Sequence, residues 1–267
     1  MALIVLTSAS GSPGVTTSAV GLALTWPRPA LLVEADPTGG SSVLAGYLRG
    51  QTAPTASLID LALAHRHGQL EQAIPEAAVR IDGSSASLLP GTRSHTQAPS
   101  LVPLWEPLAA ALKTLERTGQ DVIVDAGRLG LAGCPEPLLY AADLCLLTTR
   151  SDLVSLSGAR SWAQTLRLGF ERVGGSASLG LLMVGEGDPY SAREVRKVLH
   201  IPVIASLAWD PAAAQVFGRG AKAPRKFDTS PLVRSLSAAR DAIESTVATN
   251  REELAGPPAQ ALMGARP

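Results

Sequence analysis

Short runs of β-branched and aliphatic residues recur along the chain, spaced so that one helix fits between each pair. Leu3 to Leu6, Ala30 to Val33, Val122 to Val124, Leu144 to Thr148, Leu179 to Val184 and Val203 to Ala205 hold almost no polar positions. Strands covered by helices on both faces read this way, because neither face meets water. Between them, Val15 to Leu24, Leu101 to Arg117, Leu153 to Leu168 and Ser191 to Leu199 have the length and spacing of helices. The alternation predicts a doubly wound α/β domain, an open and mostly parallel sheet flanked by helices.

Two regions are less regular. Gln51 to Ser100 contains two short helical pieces, around Leu58 to Ala64 and Leu70 to Ile74, and then an edge strand near Ala86 to Leu89. A last helix is expected over Pro231 to Val247, where Leu232, Leu236, Ala239 and Ile243 share one face. No internal repeat or linker divides the chain. A single domain over residues 1–249 is expected, with a flexible Pro-, Gly- and Ala-rich tail at 250–267.

Composition narrows the function classes. A hydrophobic share of 46% against 17% charged residues supports a large core and excludes a disordered chain. Lys and Arg number 23, equal to Asp and Glu, so no overall field draws the molecule to nucleic acid or anionic lipid. Cys134 and Cys145 are too few for a disulfide framework and read as small buried hydrophobes, which suits a reducing cytoplasm. Four histidines without ligand spacing supply no metal site. No charged side chain occurs from Met1 to Trp26, yet Ser8 to Gly14 breaks the apolar run, so no transmembrane segment is expected. Trp105 and Trp162 fall in helices, as core or interface anchors.

The break in that run carries the chemistry. The first strand passes into Ala9-Ser10-Gly11-Ser12-Pro13-Gly14-Val15-Thr16-Thr17 and then a helix. Such a strand–loop–helix aims backbone N–H groups and the positive end of a helix at one spot, which suits a phosphate. Against the pattern G-x-x-x-x-G-K-[ST], Gly14 and Thr16 match, Ala9 replaces the first glycine and Val15 replaces the lysine. Pro13 also removes a backbone donor. The simpler account of the loop is a tight turn that packs strand on helix and binds nothing. Two more strands end in acidic loops: Glu34-Ala35-Asp36-Pro37 after the second, and Asp125-Ala126-Gly127 after the strand Val122 to Val124. A carboxylate at the latter place can hold Mg²⁺ beside the loop threonine. Each lies at the carboxyl end of its strand, where open α/β sheets bind ligands.

With these segments in this order, the chain resembles the ParA/MinD family of deviant P-loop ATPases, the partitioning and cell-positioning proteins. Ser10 to Thr17 lies over that family's K-G-G-x-G-K-T-T loop, Glu34 to Pro37 is similar to its second-strand aspartate motif, and Ala142 to Thr149 to a later strand. The stretch from Tyr190 through Ile201-Pro202 to Asp210-Pro211 and Arg219-Gly220 resembles its carboxyl-terminal segment. The resemblance implies a P-loop NTPase-like fold over about residues 2–247. It implies that Gly11, Gly14, Val15, Thr16 and Thr17 contact the nucleotide, that Thr16, Asp36 and Asp125 serve Mg²⁺, and that Asp36 orients the attacking water. Both family lysines are absent, Ser10 standing for the one that reaches across a dimer and Val15 for the other. Val184 stands where the family often has an adenine-binding asparagine.

Taken with these losses, the resemblance implies a degenerate relative that acts as a dimerising scaffold or positioning factor, of the partitioning or envelope and pilus assembly type, with weak or no ATP hydrolysis. It implies ATP or ADP with Mg²⁺ as cofactor, and the missing lysines leave open that none is bound. It implies a homodimer, or a heterodimer with a related ATPase, and a further protein partner. A second reading is a slow Mg²⁺-ATPase in which Arg128 or Arg93 replaces the lysine. A third is an NAD(P)-dependent oxidoreductase: Ala9-x-Gly11-x-x-Gly14 is one form of the dinucleotide fingerprint, and Glu34 lies 20 residues beyond Gly14. Arg219, Lys222, Arg225 and Lys226 form a basic loop, expected to be solvated rather than bound to DNA.

Overall fold

The computed structural model describes residues 2–115 and 119–255. Its centre is an eight-stranded sheet in the order β3-β4-β2-β5-β1-β6-β7-β8. The strands are β1 (Leu3–Ser8), β2 (Ala30–Glu34), β3 (Val79–Arg80), β4 (Ala86–Leu89), β5 (Asp121–Arg128), β6 (Leu144–Arg150), β7 (Leu179–Val184) and β8 (Val203–Leu207). All pairs are parallel except β3 with β4. The six apolar runs are the six strands expected, and β1 is buried at every position.

Helices cover both faces. On one side α1 (Val15–Thr25), α8 (Pro211–Arg219) and α9 (Pro231–Ala255) pack over Ile4, Leu6, Leu32, Ile123 and Leu146. On the other, α2 (Leu58–Arg66), α3 (Leu70–Ala77), α4 (Val102–Thr114), α5 (Glu136–Ala141), α6 (Leu153–Arg172) and α7 (Ala192–Leu199) close over Leu3, Val5, Val33 and Val124. Helix α1 is built from small residues because it is nearly enclosed. At Gly21 a Cβ would come within 2.7 Å of Leu236 Cδ1 on α9, so any larger residue would have to displace that side chain.

Several expectations change. The segment Ala86–Leu89 is not an edge strand: β3, only two residues long, lies outside it. The true far edge is β8, which is half-buried along most of its length because nothing among the described residues pairs beyond it. The final helix runs on to Ala255, so residues 250–255 of the expected tail are helical. Asn250 Nδ2 donates to the Ala177 carbonyl at 2.9 Å and Arg251 pairs with Asp143 at 3.0 Å, which ties this turn to the sheet. The remaining tail, 256–267, and the expected end of α4 at 116–117 lie outside the described residues.

The order fixes where a ligand can sit. From β1 the chain winds outward to β2 through α1, whereas from β5 it crosses to β6 on the far side of β1. Loops on the two sides of β1 therefore diverge and leave a crevice at its carboxyl end. In the dinucleotide-binding order 3-2-1-4-5-6 the first two strands are neighbours. Here β5 lies between them.

Candidate functional site

The loop leaving β1 opens onto a cavity of about 530 Å³ at that crevice. Three turns shape it: Gly11 and Ser12 have φ of 76° and 47°, and Gly14, the residue before α1, has φ of 101°. No side chain caps α1, so the first N–H groups of the helix are left toward the cavity. Gly14, Val15, Thr16 and Thr17 line the cavity together with Ser12. Gly11 does not. It turns the chain beside α6, where a Cβ on it would lie 3.5 Å from Ser155 Oγ. Thr17 also meets α8, where a Cβ at Gly218 would be 3.2 Å from its Oγ1.

The carboxylates are arranged around this loop. Thr16 Oγ1 donates to Asp125 Oδ2 at 2.5 Å, and the Gly127 N–H donates to Asp125 Oδ1 at 3.0 Å. Asp125 is 2% exposed. Burial first, then the nearby Asp36 and Glu34 charges, push its carboxyl up to about 7, against the pull of the Thr16 and Gly127 hydrogen bonds. Asp36 lines the cavity itself, its Oδ1 accepting from the Thr38 N–H at 2.8 Å in a tight Asx turn. Its carboxylate rests on Gly127, where a Cβ would collide with Asp36 Cγ. Gly127, with φ of 61°, is therefore the seat of the second carboxylate, a role that no motif pattern announces.

The two positions that would carry lysine do something else. Val15 is 7% exposed and belongs to the apolar layer beneath α1. Ser10 lies against α6, where a Cβ on Gly158 would collide with its Oγ. Of the two arginines that could substitute, Arg128 lines the cavity, whereas Arg93 is not among the lining residues. Thr38 and Leu131 also line it, and no motif points to either.

The donors Thr16, Asp125 and Asp36 are all oxygens, the set preferred by Mg²⁺. Among the described residues no three His, Cys, Asp or Glu side chains are grouped for a metal. A bound Mg²⁺ here would keep waters and phosphate oxygens in its shell, as that ion commonly does. The ion would supply charge neutralisation between phosphate oxygens, Thr16 being held ready by Asp125.

Other candidates resolve differently. Glu34 does not face the crevice. It is 5% exposed, and its carboxylate accepts from Ser41 Oγ and, at 3.0 Å, from the Val43 N–H, so it is not free to meet a ribose. This takes Glu34 away from the dinucleotide reading, and the strand order differs from the dinucleotide-binding one. Arg219, placed in a basic loop by the sequence, is the last residue of α8, while Lys222, Arg225 and Lys226 after it are exposed. Cys145 is fully buried and its thiol is pushed up to about 12 by burial, while Cys134 is half-buried and raised to about 11. Trp105 is a core anchor whose Nε1 donates to the Gly133 carbonyl at 3.0 Å, and Trp162 packs over Gly130.

Comparison with known proteins places this geometry in a fold. Among solved structures, the MinC:MinD cell division complex of Aquifex aeolicus contains a chain that superposes with a TM-score of 0.69 at 16% identity, covering 92% of this chain and 96% of that one. MinD of Pyrococcus horikoshii, complexed with Mg-ADP, gives 0.65 at 18% identity over 96% and 98%. A Cyanothece McdA variant in complex with ATP gives 0.67 at 18% identity over 91% and 96%. No protein-family model and no curated protein matches the sequence. The chain thus has the MinD and ParA P-loop fold, at a sequence distance where the fold alone is established. No helix among the described residues is long and apolar enough to cross a membrane.

Proposed function

We propose that this chain is a degenerate member of the ParA/MinD family, a cytoplasmic scaffold or positioning factor that holds a nucleotide weakly and hydrolyses it slowly or not at all. The observation that carries this reading is the divided state of the loop. Thr16 and Asp36 line a cavity of about 530 Å³ and Asp125 holds Thr16 from behind it, while Val15 is buried at the lysine position. A missing transition-state cation costs several kcal/mol, or roughly a thousandfold and more in rate. Binding of phosphate to backbone N–H groups suffers less, because α1 keeps its free amino end.

The partner side of the reading draws on neighbours of the same fold. One carries MinC in its complex, and others carry Mg-ADP or ATP. A protein that binds but does not turn over nucleotide would use it to set its oligomeric state, as a homodimer or with a related ATPase, and so dock a cargo for partitioning or envelope assembly. Light scattering behind size exclusion tests this, with and without Mg-ATP. A nucleotide-dependent rise in mass supports the scaffold. A mass that ignores nucleotide, in a sample that releases phosphate steadily, favours the slow ATPase with a substitute cation.

A further inference from the structure

A polyphosphate seated at this loop would bring its charge beside Asp36 and Asp125, and neither lysine position can oppose it. We propose that Arg128 grips the terminal phosphate of a nucleoside di- or triphosphate from the β5 side of the cavity. The proposal rests on the reading that the loop binds nucleotide.

Three observations meet at this residue. The first is its fixed backbone. Strand β5 continues past Asp125 through an irregularity in its pairing with β1, so that Arg128 stands opposite Ser8, where the loop begins. Leu129 N–H donates to the Ser8 carbonyl at 2.8 Å, and Thr7 Oγ1 donates to the Gly127 carbonyl at 3.1 Å. The guanidinium is thus carried on pinned strand rather than on a free loop.

The second is that its charge is uncommitted. Arg128 is exposed, and among the described residues its side chain has no hydrogen bond or ion pair. Arg150, at the same end of β6 on the other side of β1, differs: it pairs with Asp152 at 3.3 Å and stacks 4.0 Å over the Trp209 ring. The third is charge balance within the cavity. Arg128 and Asp36 are the two charged residues lining it, so Arg128 is the cation that incoming phosphate meets. A guanidinium offers two parallel N–H donors to a pair of phosphate oxygens and stays charged at any working pH. It approaches from the strand, not from the helix turn that Val15 occupies.

Calorimetric titration of the full chain with adenosine, AMP, ADP and ATP in Mg²⁺ tests this, using wild type, Arg128→Ala, Arg128→Lys and Arg93→Ala. A charge-assisted phosphate contact of this kind is worth roughly tenfold to a hundredfold in affinity. Arg128→Ala is expected to lose that much for ADP and ATP and nothing for adenosine. Arg128→Lys recovers part of the loss and Arg93→Ala equals wild type. Equal ATP affinity in Arg128→Ala, or an equal loss for adenosine, overturns the proposal and leaves nucleotide binding standing. Failure of the wild type to bind any nucleotide at millimolar concentration overturns both.

Discussion

Asp125 links the site to the stability of the whole domain. In the fold its carboxyl is raised from 3.8 to about 7, chiefly by burial. Between those values the folded chain holds a proton that the unfolded chain has released. Stability from this group is therefore full below about pH 4 and is lost as pH rises through 7. At about 1.4 kcal/mol per pH unit, the loss is at most ~4 kcal/mol. Asp125→Asn removes the titration without orphaning a neighbour. The amide oxygen can accept from the Gly127 N–H, and the amide nitrogen can donate to Thr16 Oγ1, the two atoms that Asp125 now engages. Urea unfolding in EDTA should show the variant gaining on wild type by about 2–4 kcal/mol between pH 4.5 and pH 8. Glu34, also raised by burial, contributes a slope of the same sign in both proteins. Mg²⁺ should stabilise wild type at pH 8 and leave Asp125→Asn unmoved. Parallel pH profiles for the two proteins would refute the reasoning.

The geometry sets three further outcomes. Asp121 is fully buried and accepts from the Ala2 N–H, Trp26 Nε1 and Arg28 Nε at 2.5, 2.7 and 2.8 Å, so Asp121→Ala should cost about 3 kcal/mol in urea unfolding. A loss below about 1 kcal/mol would contradict this. Gly127→Ala drives a Cβ into Asp36 Cγ at a φ of 61°, and should lower stability by about 1–2 kcal/mol. It should weaken Mg-ATP binding as well, and unchanged calorimetry would show that Asp36 does not need this seat. Val15→Lys returns an ammonium to the helix turn and should raise ATP affinity at least about tenfold, despite losing about 1 kcal/mol of buried apolar contact. An unchanged affinity would mean that the loop is a packing turn only.

The sheet was legible because doubly covered strands leave unbroken apolar runs, and six such runs became six strands. What the pattern could not reveal was position within the sheet. Val203 to Ala205 reads like Leu179 to Val184, yet β8 is half-exposed at an edge, since strand order depends on crossovers that no local run encodes. The two-residue β3 is too short to leave a period. The last turns of α9 look like tail by composition and are held by Asn250 and Arg251, whose partners Ala177 and Asp143 are remote in sequence. At the site, Thr16 and Asp125 were readable from strand–loop spacing, and Thr16 Oγ1 donates to Asp125 Oδ2. Glu34 sat at the right distance for a ribose contact, but its side chain turns inward to Ser41 and Val43. Gly127 was invisible because its role is to be small beneath Asp36.

Paired measurement of Mg-ATP binding and phosphate release on one sample of the full chain tests the central claim most directly. The account predicts saturable binding that depends on Mg²⁺, with release indistinguishable from the nucleotide-free and Asp36→Ala controls. Rapid release that Asp36→Ala abolishes would show that the loop has kept a working cation. Absence of binding at millimolar ATP would show that the cradle is only a turn.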